Sequence, residues 1–170
     1  MIVRTTDQET APLGDASGLH TAIVVARFNP EVTGRLREGA VRALIDAGAS
    51  ESRIEVFDVP GAFELPQAAR AVAETGRFDA VICLGCVIRG ETPHFEYISS
   101  AVAHGITAAA GDTGVPIAFG VLTTNTLEQA LVRAADTPGN KGREAAAAAI
   151  EMAALYRALA NGTRTPRQPA

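Results

Sequence analysis

The sequence predicts an α/β protein, a three-layer α/β/α sandwich on a mainly parallel four-stranded sheet, and three observations carry that prediction. Four short β-type runs recur, at residues 20–26, 53–59, 79–87 and 116–122, and each is followed by a helix-like pattern. The first, third and fourth runs are nearly continuous in apolar residues, as parallel strands covered on both faces must be. The chain of 170 residues, 47% hydrophobic and 20% charged, has the balance of one packed domain. Alternating strands and helices also require right-handed crossovers, while the order of the strands stays open.

The helices follow from spacing and punctuation. After the first run, Leu36, Ala40, Val41, Leu44 and Ile45 recur at helical intervals, with Arg37, Glu38, Arg42 and Asp46 between them. That is a helix with one buried stripe, stopped by Gly48. The second run leads to a helix over residues 64–75, with Pro66 tolerated in its first turn and Gly76 at its end. The third leads to a helix carrying Ile98, Val102, Ile106 and Ala109 on one side. After the fourth, Thr126 and Gln129 form a capping box that opens a helix through about Ala135. An alanine-rich helix then runs from about Gly142 to Ala160. Residues 19–160 thus form one domain, flanked by a polar N-terminal segment (1–18) and a C-terminal tail (161–170). Both flanks lack periodicity and are expected to be mobile or ordered only by a neighbour.

Composition excludes several classes. A net charge of −4 gives no long-range attraction for nucleic acid or an anionic membrane, so a bound phosphate must be held by a few local groups. The apolar runs are too short and interrupted for a transmembrane helix. The opening MIVRTTDQET has no apolar signal-peptide core, which points to the cytoplasm. Cys83 and Cys86 form a C-x-x-C, but within the β-type run AVICLGCV they point to opposite faces and read as small buried hydrophobes. His20, His94 and His104 lack metal-ligand spacing with them, so no metal site is expected.

Ligands of open parallel sheets bind outside the carboxyl ends of the strands, and the unusual residues of this chain gather there. The first strand is followed by Arg27, Phe28, Asn29 and Pro30, and the second by Gly61, Ala62, Phe63 and Glu64. The third runs through Cys86, Val87 and Ile88 into Gly90, Glu91, Thr92 and His94. The fourth carries Phe119 and ends in Thr123, Thr124 and Asn125. Each residue alone has a structural explanation: an aromatic in the core, a carboxylate favoured by a helix dipole, a capping histidine. Together they offer an aromatic face for a planar ring, a carboxylate for hydroxyls, and an imidazole suited to proton transfer near neutral pH. Residues 90–92 lead into a helix whose free N–H groups would favour an anion, and residues 139–142 open the last helix in the same way. Residues 139–142 lack the spacing of a Walker loop, and no G-x-G-x-x-G turn follows the first strand, which argues against a dinucleotide.

The segments ARFNPEVT, PGAFELP, LGCVIRGETPHFEYI, FGVLTTNTLEQA and GNKG, taken in this order, closely resemble the signature stretches of lumazine synthases over roughly residues 20–160. The resemblance implies a flavodoxin-like sheet and an enzyme of riboflavin biosynthesis that needs no metal or organic cofactor. Its reaction would join 5-amino-6-(D-ribitylamino)uracil to (2S)-2-hydroxy-3-oxobutyl phosphate, giving 6,7-dimethyl-8-ribityllumazine, phosphate and water. It also implies roles. Phe28 would stack on the pyrimidine, with Ala62, Phe63 and Glu64 lining the ribityl pocket and Cys86, Val87 and Ile88 offering backbone groups to the ring. Phe119 would close that pocket, with Lys141 nearby. Glu91 and Thr92 would hold the phosphate through N–H groups, Arg133 would be its charged partner, and His94 would be the general acid/base. The family often has Ala, Gly or Gln in place of Glu91, so the Glu91 side chain is expected to point away from the phosphate. Lumazine synthases form pentamers, many of which build a sixty-subunit shell, and the short connection between Arg133 and Lys141 matches the shell-forming members. Sites would lie between subunits, with Phe28, Glu64 and His94 from one chain and Phe119, Arg133 and Lys141 from its neighbour. A flavodoxin-like module that holds a flavin without turnover is the rival reading; a proton-transfer histidine is superfluous to it.

Overall fold

The computed structural model of the chain describes residues 12–162. Four strands, β1 (Thr21–Ala26), β2 (Ile54–Val59), β3 (Ala80–Ile88) and β4 (Ile117–Thr124), form one parallel sheet in the order β2-β1-β3-β4. Helices α1 (Pro30–Asp46), α2 (Leu65–Glu74), α3 (His94–Thr113), α4 (Leu127–Arg133) and α5 (Lys141–Ala160) cover it on both sides, giving the three layers the alternation predicts.

Side-chain alternation along each strand builds two cores. Ile23, Val25, Ile82, Leu84, Cys86 and Leu122 face α1, α4 and α5, where Leu36, Leu44, Ala130 and Ile150 are buried with them. Ala22, Val24, Val81, Cys83 and Val121 face α2 and α3, packing on Leu65, Ala69, Val102 and Ile106. The two cysteines therefore lie on opposite faces, both buried and both free thiols. β2, the one run that is not continuously apolar, is an edge strand.

The connections leaving β1 and β3 run to opposite faces, α1 to one and α3 to the other, so a crevice opens between these adjacent strands at their carboxyl ends. β3 deepens it. Its pairing with β1 ends at Val25 and Leu84, whereas its pairing with β4 continues to Ile88 and Thr124. The last residues of β3 thus keep a free edge above the end of β1.

Two helix starts differ in detail from expectation. At α4, Thr126 accepts from the Gln129 N–H at 3.2 Å, but the Gln129 side chain accepts from Asn125 N–H instead of Thr126, so the box is offset by one residue. At α5 the N–H groups of Gly142 and Arg143 are not free for an anion, because both donate to Asn140 Oδ1, at 2.8 and 3.1 Å. Asn140 Nδ2 in turn donates to the carbonyls of Ala134 (2.9 Å), Ala135 (3.2 Å) and, across on α1, Arg35 (3.3 Å). α1 and α5 come this close because glycines face each other: a Cβ on Gly142 would sit 1.9 Å from the Leu36 carbonyl oxygen, and one on Gly39 2.2 Å from Asn140 Oδ1.

Residues 12–18 lie against this core: Ala16 is fully buried, donates its N–H to the Ala47 carbonyl, and is joined by half-buried Leu13. The rest of the N-terminal segment (1–11) and most of the tail (163–170) fall outside the described residues. No helix among the described residues is long and apolar enough to cross a membrane.

The backbone of Leu36 cannot retreat from a new methyl without moving a whole helix. Gly142→Ala should therefore destabilise the protein by roughly 1–3 kcal/mol or more, as overpacking does. Gly90→Ala, where a Cβ meets nothing within 4 Å, should cost far less. Thermal unfolding of the two variants checks the contrast.

Candidate active site

A cleft of about 330 Å³ lies at the carboxyl ends of β1, β2 and β3, lined by Phe28, Asn29, Gly61, Ala62, Phe63, Glu64, Cys86, Val87, Ile88, His94 and Ile98. Its floor is the free edge of β3. Asn29 starts α1 in a left-handed conformation (φ 59°), the only non-glycine residue with positive φ among those described. Its Nδ2 donates to the Cys86 carbonyl at 2.9 Å, so Cys86 turns its backbone polar groups toward the crevice. By the two-residue repeat of a strand, Ile88 turns its own the same way. Val87 and Arg89 face β4 instead, Arg89 N–H donating to the Thr124 carbonyl at 2.8 Å. The backbone groups that this strand leaves open to the crevice are thus those of Ile88 and what Asn29 leaves free on Cys86.

The walls are aromatic and acidic. Phe28 is 71% exposed and Phe63 59%, an arrangement that water disfavours and a planar ring would relieve. Backbone bonds from Arg27 N–H to the Val59 carbonyl (2.8 Å) and from Phe28 N–H to the Pro60 carbonyl (3.2 Å) hold Phe28 in place. A 3-10 turn over Ala62–Glu64 brings Glu64 to the start of α2, with its carboxylate folded toward Gly61. His94, exposed, is the first residue of α3, which has no side-chain cap at its start. Glu91 and Thr92 sit on the exposed loop just before it and do not line the cleft.

Phe119, Arg133 and Lys141 are elsewhere. They line a second depression of about 380 Å³ along the open edge of β4 and the start of α5, with Thr123, Glu144 and Ala148. Lys141 Nζ is paired with both carboxylate oxygens of Glu144, at 2.7 and 2.9 Å. Arg133 donates to the Gln129 carbonyl at 2.9 Å. The predicted residues therefore form two groups on one chain, one in each depression, while Glu91 and Thr92 line neither.

Two members of this constellation escaped the sequence reading. Asn29 was in view as part of a loop, and its signal is the tolerance of asparagine for left-handed backbone just before a helix-opening proline. Glu144 stands three residues after Lys141 on a helix, the spacing of an ion pair.

Burial also shapes the chemistry. It pushes the Cys83 thiol up to about 12 and the Cys86 thiol up to about 11, which removes both as nucleophiles near neutral pH. Beside the cleft, a hydrogen bond from Arg89, followed by one from its own backbone N–H, holds the Glu96 carboxyl below its ordinary range. The Glu96 carboxylate stays ionised across neutral pH. Among the described residues no three His, Cys, Asp or Glu side chains cluster as a metal ion would require.

A family model described as 6,7-dimethyl-8-ribityllumazine synthase matches residues 18–157. A curated protein of Syntrophus aciditrophicus (strain SB), named 6,7-dimethyl-8-ribityllumazine synthase, is 56% identical over 144 residues, which cover 85% of this chain and 94% of that protein.

The raised thiols give a direct check. At pH 8 a group near 11 is thiolate in only about one molecule in a thousand, against roughly a quarter for a free cysteine. A disulfide reagent should therefore modify Cys86 in the folded protein more than about a hundredfold more slowly than free cysteine, with both thiols titrating once the chain is unfolded.

Proposed function

The chain belongs to the 6,7-dimethyl-8-ribityllumazine synthase family, and from that premise we propose that its two depressions are the halves of one active site completed between neighbouring copies. It is a transferase of riboflavin biosynthesis. It condenses 5-amino-6-(D-ribitylamino)uracil with (2S)-2-hydroxy-3-oxobutyl phosphate to 6,7-dimethyl-8-ribityllumazine, with loss of phosphate and water. The observation that carries the composite site is the separation itself: the aromatic cleft holds Phe28, Glu64 and His94 but no cation, and Arg133 and Lys141 stand in the other depression.

In this reading the pyrimidine stacks on Phe28 and meets the backbone edge of β3 at Cys86 and Ile88, the Val87 backbone being turned toward β4. The ribityl chain lies along Ala62, Phe63 and Glu64, whose carboxylate accepts from its hydroxyls. Phe119 and Lys141 of the adjacent copy close the pocket. The butanone phosphate rests on the N–H groups of Glu91 and Thr92 and pairs with the neighbour's Arg133. The substrate's own amine attacks the ketone, so no protein nucleophile is needed, in keeping with the raised cysteines. Imine formation, phosphate loss, ring closure and dehydration are then proton transfers around aligned partners. His94, at the mouth of the cleft, is placed to serve them. Alignment supplies most of the rate, and a positioned histidine adds on the order of 10²–10⁴.

Assembly is part of the same proposal: a pentamer, with twelve pentamers in a sixty-subunit shell. Support comes from apolar side chains left in water, including Tyr97 on α3, Val132 on α4 and Met152, Leu155 and Leu159 on α5. A cytoplasmic setting suits the two free thiols.

His94→Ala should be slowed markedly yet keep a residual rate, because alignment survives; full turnover across neutral pH would remove the histidine from the mechanism. Arg133→Ala should raise the KM for the butanone phosphate far more than that for the pyrimidine. Co-refolding the two variants in equal amounts should then restore activity. With random mixing about a quarter of sites combine an intact His94 with an intact Arg133. Product fluorescence above that of either parent supports a shared site. Activity at the parental average, in oligomers shown by mass to be mixed, assigns the site to one chain. Light scattering on the unmixed protein reads the assembly directly, and a mass near five subunits would exclude the shell.

A further inference from the structure

Arg89, the residue after β3, has no role in the reading above, yet its side chain touches three residues from two separate segments at once. Its Nε donates to Asn125 Oδ1 at 2.9 Å, its Nη1 pairs with Glu96, and its guanidinium carbon lies 4.5 Å above the centre of the Phe95 ring. Its backbone N–H is bound to the Thr124 carbonyl. One planar group therefore grips the first turn of α3 and the corner between β4 and α4. The exposed loop of residues 90–93 is spanned from one end to the other. The far contact leads onward: Asn125 N–H donates to Gln129 Oε1 at 2.9 Å, and the Gln129 carbonyl accepts from Arg133 at 2.9 Å.

We propose that Arg89 is a positioning residue for the phosphate substrate. It closes the loop that presents Glu91 and Thr92, and it ties that loop to the α4 helix, whose own Arg133 serves the site of the neighbouring copy. A guanidinium suits this task because its rigid fork and flat face make an ion pair, a neutral hydrogen bond and a ring contact simultaneously, which a lysine ammonium cannot. Its charge is already met by Glu96, so it acts on the phosphate through the loop and not as a ligand. The pyrimidine half of the site has no such dependence, since it is held by the backbone bonds of Arg27 and Phe28, by Asn29 and by the 3-10 turn at Ala62–Glu64.

The inference rests on the proposed phosphate site, and the test separates the two. Steady-state kinetics on the assembled enzyme would compare Arg89→Met, Glu96→Gln, their double variant and Arg133→Ala. The expected result is a rise of about tenfold in the KM for the butanone phosphate in Arg89→Met, with the pyrimidine KM within about twofold of the parent. Glu96→Gln should move the phosphate KM in the same direction, and the double variant should be no worse than Arg89→Met alone. A fall in that KM in Glu96→Gln would mean that freed guanidinium binds the anion itself, and would overturn the proposal. So would an unchanged phosphate KM in Arg89→Met, or an equal rise for both substrates. If Arg133→Ala also leaves the phosphate KM unchanged, the phosphate reading fails and Arg89 falls with it. If Arg133→Ala acts and Arg89→Met does not, only Arg89 is dismissed. Should Arg89→Met not assemble, Glu96→Gln and Asn125→Ala read the two ends of the same clamp against the same expectations.

Discussion

Asn140 keeps only 3% of its surface exposed, and its side-chain amide joins the end of α4 and the start of α5 to α1. Its oxygen takes two N–H groups of α5, and its nitrogen serves carbonyls at the end of α4 and on α1. Removing it would strand several backbone groups in a dry place, at about 1–3 kcal/mol for a buried group left unpaired. The glycines at 39 and 142 are the counterpart of this constraint, since only bare backbone lets the two helices close on the amide. Arg133 and Lys141 then follow. They stand just before and just after this knot, so a neutral side chain sets the position of two cations. In the stretch GNKG, Asn140 and Gly142 belong to folding, and Lys141 faces the depression beside β4.

The other depression is organised on the same principle. There Asn29 bends the chain into a left-handed start for α1 and ties it to the end of β3. A short amide joins two strand ends that share no ladder hydrogen bonds at that level, because β3 outruns β1. The two depressions thus use the same device, an asparagine that satisfies neighbouring backbone beside the candidate site residues.

The layers of the fold were legible in the chain because each strand and helix carries its own periodicity. Continuous apolar runs announced buried parallel strands, and Leu36, Ala40 and Leu44 announced the face of α1. Strand order was not legible, since it depends on which crossover goes left and which goes right, and no local pattern records that. The candidate site residues were legible through resemblance. Their division into one group around Phe28, Glu64 and His94 and another around Phe119, Arg133 and Lys141 came from resemblance alone, because distance across β3 and β4 is recorded in no local pattern of the chain. The expected anion site at the start of α5 shows the limit well: the glycines and asparagine were read for their free N–H groups, but the asparagine consumes those groups itself. No role for Arg89 is legible in the chain, because its three partners, Phe95, Glu96 and Asn125, come from two segments that only the fold brings together.

The free edge of β3 has one more consequence. Groups offered there are peptide N–H and C=O, which every residue type except proline supplies alike. Exchange of Cys86, Val87 or Ile88 for another residue changes the packing behind the edge and leaves the pattern of donors and acceptors on it intact. An inhibitor designed to hydrogen-bond to that edge, and to little else, would be hard to evade by a single codon change. One built around Glu64 or Phe63 would present an easier target for resistance.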